Sequence, residues 1–279
     1  MDLQFWFMFP ISIMVATVAM ASGVEGATFF APIFILLLGL PPEVAIGAGL
    51  ITEVFGFASG LYAYRRKRLI DYQLGMTLLI VTIPLAVFGT MLSAIIDPVF
   101  LKFVLGIGLL VIGANFLHTS PHKDHKYVEN HTDQPQSCLI TATGEQICYN
   151  TCSPTEGRII AGVGSLFMGM VATGLGEMNG YYMLRRCQMP ARIAVATSVF
   201  VVAVTALTAS IGHIVKFLQA GGDSLATVFA LVIFTVPGVI IGGQIGPVIT
   251  SRISQQMLER TLGILFIVVA MVLLGDVLI

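Results

Sequence analysis

Apolar runs long enough to cross a bilayer recur along this chain, and they limit what it can fold into. A helix crossing about 30 Å of hydrocarbon at about 1.5 Å per residue needs roughly 20 apolar residues. Phe5–Ser22, Val44–Tyr64, Tyr72–Ile95 and Phe100–Leu117 are such runs in the first part of the chain. Ile159–Leu175, Ala194–Phe217, Leu225–Ile249 and Leu258–Ile279 are their counterparts in the second. A shorter piece interrupts each series, Ala27–Leu40 in one and Gly176–Gln188 in the other. The order long, short, long, long, long therefore occurs twice.

Charge agrees with this reading. Asp, Glu, Lys and Arg make up 10% of the 279 residues, against roughly 25% in soluble proteins. Thirteen of the 29 lie in two stretches, 65–71 and 118–158, and sixteen charges could not cover the rest of a soluble surface. A net charge of −1 gives no basic surface for nucleic acid, and the apolar content excludes a disordered chain. The expected fold is an all-α polytopic membrane protein with two homologous helical halves. The halves are 1–117 and 159–279, joined by a polar insert at 118–158 in which Leu139–Thr143 and Glu145–Tyr149 flank Gly144 as a small β-hairpin. Ala19-Met20-Ala21 imitates a signal-peptidase site, but Met1-Asp2-Leu3-Gln4 offers no positive n-region, so the first segment is expected to be retained. Four cysteines do not suggest a disulfide framework here.

Internal matches support the duplication. Pro41-x-x-x-Ala45-Ile46-Gly47-Ala48-Gly49 aligns with Pro190-x-x-x-Ala194-Val195-Ala196-Thr197-Ser198. Pro84 and Gly89 align with Pro237 and Gly242, and Leu101, Leu105 and Gly106 with Leu258, Leu262 and Gly263. Their shared order carries more weight than any one of them. If the short segments reverse direction, by crossing or re-entering, each half makes an odd number of passages and the halves are inverted. Arg65–Arg68, the insert, Arg185, Arg186, Arg192, Arg252 and Arg260 then share one face, opposite Lys102 and Lys216. The positive-inside rule makes the richer face cytoplasmic. A cell inner membrane is the expected location.

Internally repeated transporters place their sites near the midplane, where Gly- or Pro-interrupted helices correspond between halves. Ser22–Gly26 and Thr173–Gly180 are those interruptions. A break frees backbone N–H groups and aims a positive helix end inward, which suits a small anion. Gly23, Gly26, Gly176, Asn179, Thr52, Thr197 and Ser198 are the candidate substrate-binding residues, the hydroxyls and the amide replacing water around the anion. Packing alone would also explain glycines in a membrane bundle.

Several of these residues also resemble a known family. A break, an apolar stretch with central Pro32, Gly39-Leu40-Pro41-Pro42, Ala45-x-Gly47-x-Gly49, a basic loop, and a second copy with Ala194-x-Ala196-Thr197-Ser198 are similar to the TauE/SafE sulfite-exporter family. The resemblance covers both halves and omits the insert, and both breaks depart from the family's usual glycine-rich signature. It implies a permease for small sulfur-containing anions such as sulfite or organosulfonates.

Glu25, Glu53 and Glu177 are the candidate proton-coupling residues, Glu25 and Glu177 following the two breaks. An acid within the membrane is by default paired, protonated or functional. Glu43, after Pro41-Pro42, reads as a first-turn helix charge and Asp97 as a loop residue. Trp6, Tyr62 and Tyr64 read as interfacial anchors. Arg185, Arg186 and Arg192 could bind an anion, although marking a helix end explains them as well.

In the insert, His118, His122, His125 and His131 precede Cys138, Cys148 and Cys152. Without a Cys-x-x-Cys pair, a solvated linker is the better reading than a zinc site. No Walker loop, nucleotide fingerprint or nucleophile elbow is present. The expectation is a secondary transporter of small anions, proton-linked or potential-driven, with no enzymatic activity, cofactor or metal. Its partners are a small anion and the lipid bilayer, with no nucleic acid, and a homo-oligomer is compatible with the sequence. The alternatives are a passive anion channel and an intramembrane metal or redox protein using the insert's cysteines and histidines.

Overall fold

The computed structural model describes residues 3–118, 136–150, 152–220, 223–249 and 255–278. After a 3-10 turn at Leu3–Phe5, the first part contains α1 (Met8–Ser22), α2 (Ala27–Leu36), α3 (Pro42–Arg66), α4 (Tyr72–Leu92) and α5 (Pro98–Leu117). The strands β1 (Gln136–Ile140) and β2 (Gln146–Asn150) follow. The second part contains α6 (Pro154–Val171), α7 (Leu175–Gly180) with a π-helical continuation at Tyr181–Arg186, then α8 (Ala191–Ala220), α9 (Asp223–Ile249) and α10 (Gln255–Leu278).

Local chemistry sets several of the helix starts. Proline, whose missing N–H costs nothing in a first turn, opens α3, α5 and α6. Asp71 accepts the Leu74 N–H at 3.0 Å, and Asp97 accepts the Val99 N–H at 2.8 Å, each capping the helix it precedes. Glu43 does lie in the first turn of α3. Among the described residues, six helices are long and apolar enough to span a membrane: α3, α4, α5, α8, α9 and α10. The chain is an all-α polytopic membrane protein with a small two-stranded addition.

Close glycine contacts give the helix directions. Going up α9, Gly238 meets Phe9 and Ser12 of α1, Gly242 meets Ile13 and Ala16, and Gly246 meets Thr17 and Met20, so α1 and α9 run the same way. Gly56 on Val239 and Gly60 on Gly243 show that α3 also runs with α9. Between the parallel α1 and α3, α2 must turn back. In the second part, Gly162 meets Val81 and Leu85 of α4 while Gly169 meets Ala86 and Thr90, making α6 parallel to α4. Gly75 on Phe200 and Gly212 on Thr90 make α8 parallel to α4 as well. The segment α7 with its π continuation therefore turns back between α6 and α8.

Two helical hairpins thus enter the bundle from opposite ends, because α3 and α4 are joined by a short turn and run oppositely. Phe5–Ser22 and Ile159–Leu175, both read as spans from their length, are instead the first arms of the two hairpins. The pairings come in couples: α1 on α9 with α6 on α4, α3 on α9 with α8 on α4, α3 on α8, and α5 on α10. The last pair is antiparallel, since Gly106 meets Ala270 and Leu274 while Gly113 meets Gly263 and Ile267.

One end collects the cations Arg65–Arg68, Arg158, Arg185, Arg186, Arg192 and Arg260, all but Arg185 exposed. Lys102, paired with Asp276 at 2.6 Å, and Lys216 lie at the other. The insert's strands pair with Gly144 in the turn, as the alternation suggests, but they do not float as a linker. The Ala142 N–H donates to the Lys67 carbonyl at 3.1 Å, and the Tyr149 hydroxyl donates to Asp71 at 2.6 Å. Burial, and then the bond to Asp71, push the Tyr149 phenol above its ordinary value.

The structure also corrects the reading of the cysteines. All four are paired, Cys138 with Cys148 and Cys152 with Cys187. His122, His125 and His131 lie outside the described residues; among the described residues no group of acids, histidines and cysteines is arranged to hold a metal.

Candidate functional site: the meeting of two hairpin tips

Each hairpin turns through a left-handed residue. Gly23 (φ 74°) closes α1 with its N–H on the Ala19 carbonyl, and Ala172 (φ 60°) closes α6 with its N–H on the Met168 carbonyl. That conformation is easy for glycine and strained for alanine. Gly174, at φ 120°, then starts the return.

A broken helix leaves its last carbonyls without donors. Three residues before each break, a side chain from a long helix supplies one. The Tyr64 hydroxyl of α3 donates to Met20 O at 3.0 Å, and His213 Nε2 of α8 meets Gly169 O at 3.3 Å. The acceptor is a carbonyl, so Nε2 must be the protonated nitrogen. Tyr64 is therefore a buried support and not the interfacial anchor its type suggested; Trp6 and Tyr62 are exposed. A second matched pair lies one turn further along each helix. Lys67 Nζ donates to Pro247 O at the end of α9, and Lys216 Nζ to Thr90 O at the end of α4.

The two tips meet inside the protein. Gly176 packs against the Gly23 carbonyl and the Glu25 backbone. Three backbone N–H groups at this junction each end on a carboxylate. Gly26 N–H donates to Glu53 Oε1 at 2.7 Å, Gly176 N–H to Glu25 Oε1 at 2.6 Å, and Gly174 N–H to Glu177 Oε2 at 3.0 Å. Thr28 Oγ1 reaches both Thr173 Oγ1 at 2.9 Å and Glu177 Oε1 at 3.2 Å, tying one tip to the other. Glu25, Glu53 and Asn179 are almost wholly enclosed, at 0%, 1% and 0% exposure.

Five polar atoms at or beside this junction have no partner among the described residues: Glu25 Oε2, Glu53 Oε2, Asn179 Oδ1 and Nδ2, and Ser198 Oγ. An unsatisfied buried polar group costs about 1–3 kcal/mol, so such a concentration needs a reason.

Seven of the ten residues singled out from sequence sit at the tips or hold them: Gly23, Gly26, Gly176, Asn179, Glu25, Glu53 and Glu177. Ser198 lies on α8, which packs on α7. Two are engaged elsewhere. Thr52 shares a hydrogen bond of 2.9 Å with Thr235 of α9, and Thr197 accepts the Asp71 N–H at 3.0 Å toward the Arg-rich end. Sequence reading missed Thr28, Thr173, Tyr64 and His213. Tyr64 and His213 did leave a signal: the 149-residue step from Pro41 to Pro190 also relates Tyr64 to His213 and Lys67 to Lys216.

The surroundings of the two hairpins differ. Beside the second, a cavity of about 570 Å³ separates α5 from the returning arm and reaches Gly23, Thr173, Gly176 and Glu177, with Asn115 and Arg185 toward the Arg-rich end. The corresponding place beside the first is filled by Phe29 of α2 packing on Phe266 of α10 at 5.0 Å, with Phe116 behind at 6.1 Å.

Opposed hairpins meeting inside a bundle of helices long and apolar enough to span a membrane, with a cavity beside one of them, suit a membrane transporter. The chain belongs to the sulfite exporter TauE/SafE family, whose pattern matches residues 8–273. A Bacillus subtilis (strain 168) protein named "Probable membrane transporter protein YunE" is 24% identical over 250 residues, covering 88% of this chain and 86% of that protein. No solved structure matches the chain.

Proposed function

We propose that the protein is a secondary transporter of small anions of the sulfite or organosulfonate kind, and that it couples anion to proton because the anion and the protein's own carboxylates compete for the same N–H groups at the hairpin tips. The carrying observation is that the N–H groups of Gly26, Gly174 and Gly176 are each held by one of the protein's own carboxylates. Backbone donors at helix breaks are suited to a small anion, but an arriving anion finds them occupied. A carboxyl that takes up a proton weakens as an acceptor and releases its N–H. The anion then binds where the carboxylate was, and the charge of the site is preserved. Proton uptake and anion binding become one event.

The unpartnered oxygens of Glu25 and Glu53 are where the protons would reside, while Asn179 and Ser198 offer further hydrogen bonds to the anion. In this arrangement the cavity beside α5 is the access route, and the packed Phe29 and Phe266 close the other side. Movement of the hairpins would exchange the two states, the alternating access expected of inverted halves. The Arg-rich end, with the insert, faces the cytoplasm by its charge, in a cell inner membrane.

The test uses purified protein in proteoliposomes, with sulfite and a short alkylsulfonate as probes and a trapped pH indicator. Saturable counterflow accompanied by proton movement is the expected result. Unsaturable flux without counterflow would make the protein a channel, and anion flux without proton movement would remove the competition mechanism.

A further inference from the structure

The second hairpin has a covalent tie that the first lacks. Cys152 lies two residues before α6, and Cys187 follows the π-helical continuation of α7; their disulfide joins the outer ends of the hairpin's two arms. The same ends are held by the Tyr182 hydroxyl on Ser153 O at 3.0 Å and by Arg186 on Glu156 at 2.7 Å. No cysteine lies before Cys138, so nothing of the kind can form at the first hairpin. The clamped arm carries Glu177 and Asn179 and supplies Met178, Tyr181, Leu184 and Arg185 to the cavity wall.

These cysteines lie at the Arg-rich end. Its excess of cations over Lys102 and Lys216 at the opposite end is the signature of a cytoplasmic face. There, small thiols keep cysteines reduced, and a disulfide that does form is transient, catalytic or redox-sensing. Arg185 and Arg186 precede Cys187 in sequence and Arg192 follows it; neighbouring cations favour the Cys187 thiolate, the sulfur that completes the exchange. Cys152 is half-buried while Cys187 is buried, so Cys152 is the sulfur that a small molecule meets first.

We propose that Cys152 and Cys187 form a thiol–disulfide site that exchanges with small intracellular disulfides and thiols of the glutathione type, and that its oxidation locks the second hairpin. The Cys152 thiolate attacks the small disulfide, forms a mixed disulfide and expels one small thiolate. The Cys187 thiolate then attacks Cys152 Sγ and expels the second. Two protein thiols lose two electrons and two protons, and the small disulfide gains both to become two thiols. Excess small thiol runs the sequence backwards. This rests on the cytoplasmic placement and hairpin movement proposed above.

The site is read in full-length protein carrying Cys138→Ser and Cys148→Ser, so that only this pair reports. Cells are quenched in acid with and without the thiol oxidant diamide, and free thiols are counted by the gel shift of a polyethylene-glycol maleimide. The expected result is two free thiols in unstressed cells and none after diamide. Hydrogen exchange of segment 175–187 in reconstituted protein should slow several-fold in oxidised against reduced glutathione, and Cys152→Ser should abolish that difference. A pair fully oxidised in unstressed cells would overturn the proposal, making the bond a fixed staple in an oxidising compartment. Equal exchange in both glutathione buffers would overturn the lock. Neither readout uses an anion, so failure of the substrate assignment would leave both standing.

Discussion

The two hairpins are built on one plan and finished differently. Each stops at a left-handed residue, has its freed carbonyl satisfied from a long helix, and directs the next backbone N–H at a carboxylate. In the first, the support is Tyr64, the carboxylate on Gly26 comes from Glu53 of a neighbouring helix, and Phe29 and Phe266 fill the flank. In the second, the support is His213, the carboxylate on Gly174 is the hairpin's own Glu177, and the flank is open. The difference teaches which parts are architecture and which are state. Supports and carboxylates are duplicated, so they serve both hairpins. The packed and the open flank are opposites, which is what the alternating access proposed above requires of one conformation.

Removing the Phe266 ring strikes the sealed flank, and this has the largest expected effect. Phe266 is 1% exposed, and truncating a buried Phe to Ala costs about 3–5 kcal/mol. Phe266→Ala should lower the thermal midpoint markedly and make a cysteine introduced at Ile33 more reactive to a small thiol reagent. An unchanged midpoint and reactivity would mean that flank is not closed by this packing.

Glu25 bridges the hairpins and should matter next. A hydrogen bond to a charged group is worth about 1.5–3 kcal/mol, so Glu25→Ala should reduce saturable sulfite flux by roughly ten- to hundred-fold at 1.4 kcal/mol per decade. Glu177→Gln, which keeps the size and one accepting oxygen for the Gly174 N–H, should preserve folding and flatten the pH dependence of flux. An unaltered pH profile in Glu177→Gln would separate that acid from proton coupling.

The supports come third. Tyr64→Phe and His213→Met each remove one donor to a freed carbonyl, worth about 1 kcal/mol. Comparable losses of thermal stability are expected from both, with His213→Gln restoring most of the loss because its amide places a donor near the Nε2 position. If only one of the two variants has an effect, the supports are not equivalent. Smallest of all, Thr82→Val removes the 2.9 Å hydroxyl bond to Thr205, and Thr235→Val removes its counterpart with Thr52; each should cost about 0.5 kcal/mol, the low end for a hydrogen bond, and leave flux intact.

What could be seen in advance followed from local signals. The six spans, the breaks, the β-turn at Gly144 and the first-turn place of Glu43 after Pro41-Pro42 depend on residues near one another in sequence, and these were legible. So was the coincidence of acids with breaks, because a carboxylate beside a glycine cluster in apolar sequence is conspicuous. Partners distant in sequence were not. That Glu53 holds Gly26, that Thr28 reaches Thr173, and that Cys152 bonds Cys187 become visible only once helices far apart in the chain are packed together. Phe5–Ser22 had the length of a span, and length alone does not tell a hairpin arm from a crossing. Thr197, chosen because it aligned with a glycine motif, instead receives the Asp71 N–H where α4 begins.

The competition between carboxylate and anion for the same N–H groups is tested most directly by sulfite-driven proton movement in proteoliposomes, comparing wild-type protein with Glu25→Gln. An inward sulfite gradient should acidify the trapped indicator in wild type, in step with sulfite flux, and in Glu25→Gln the proton signal per sulfite moved should fall. The same proton-to-sulfite ratio in both proteins would contradict the account.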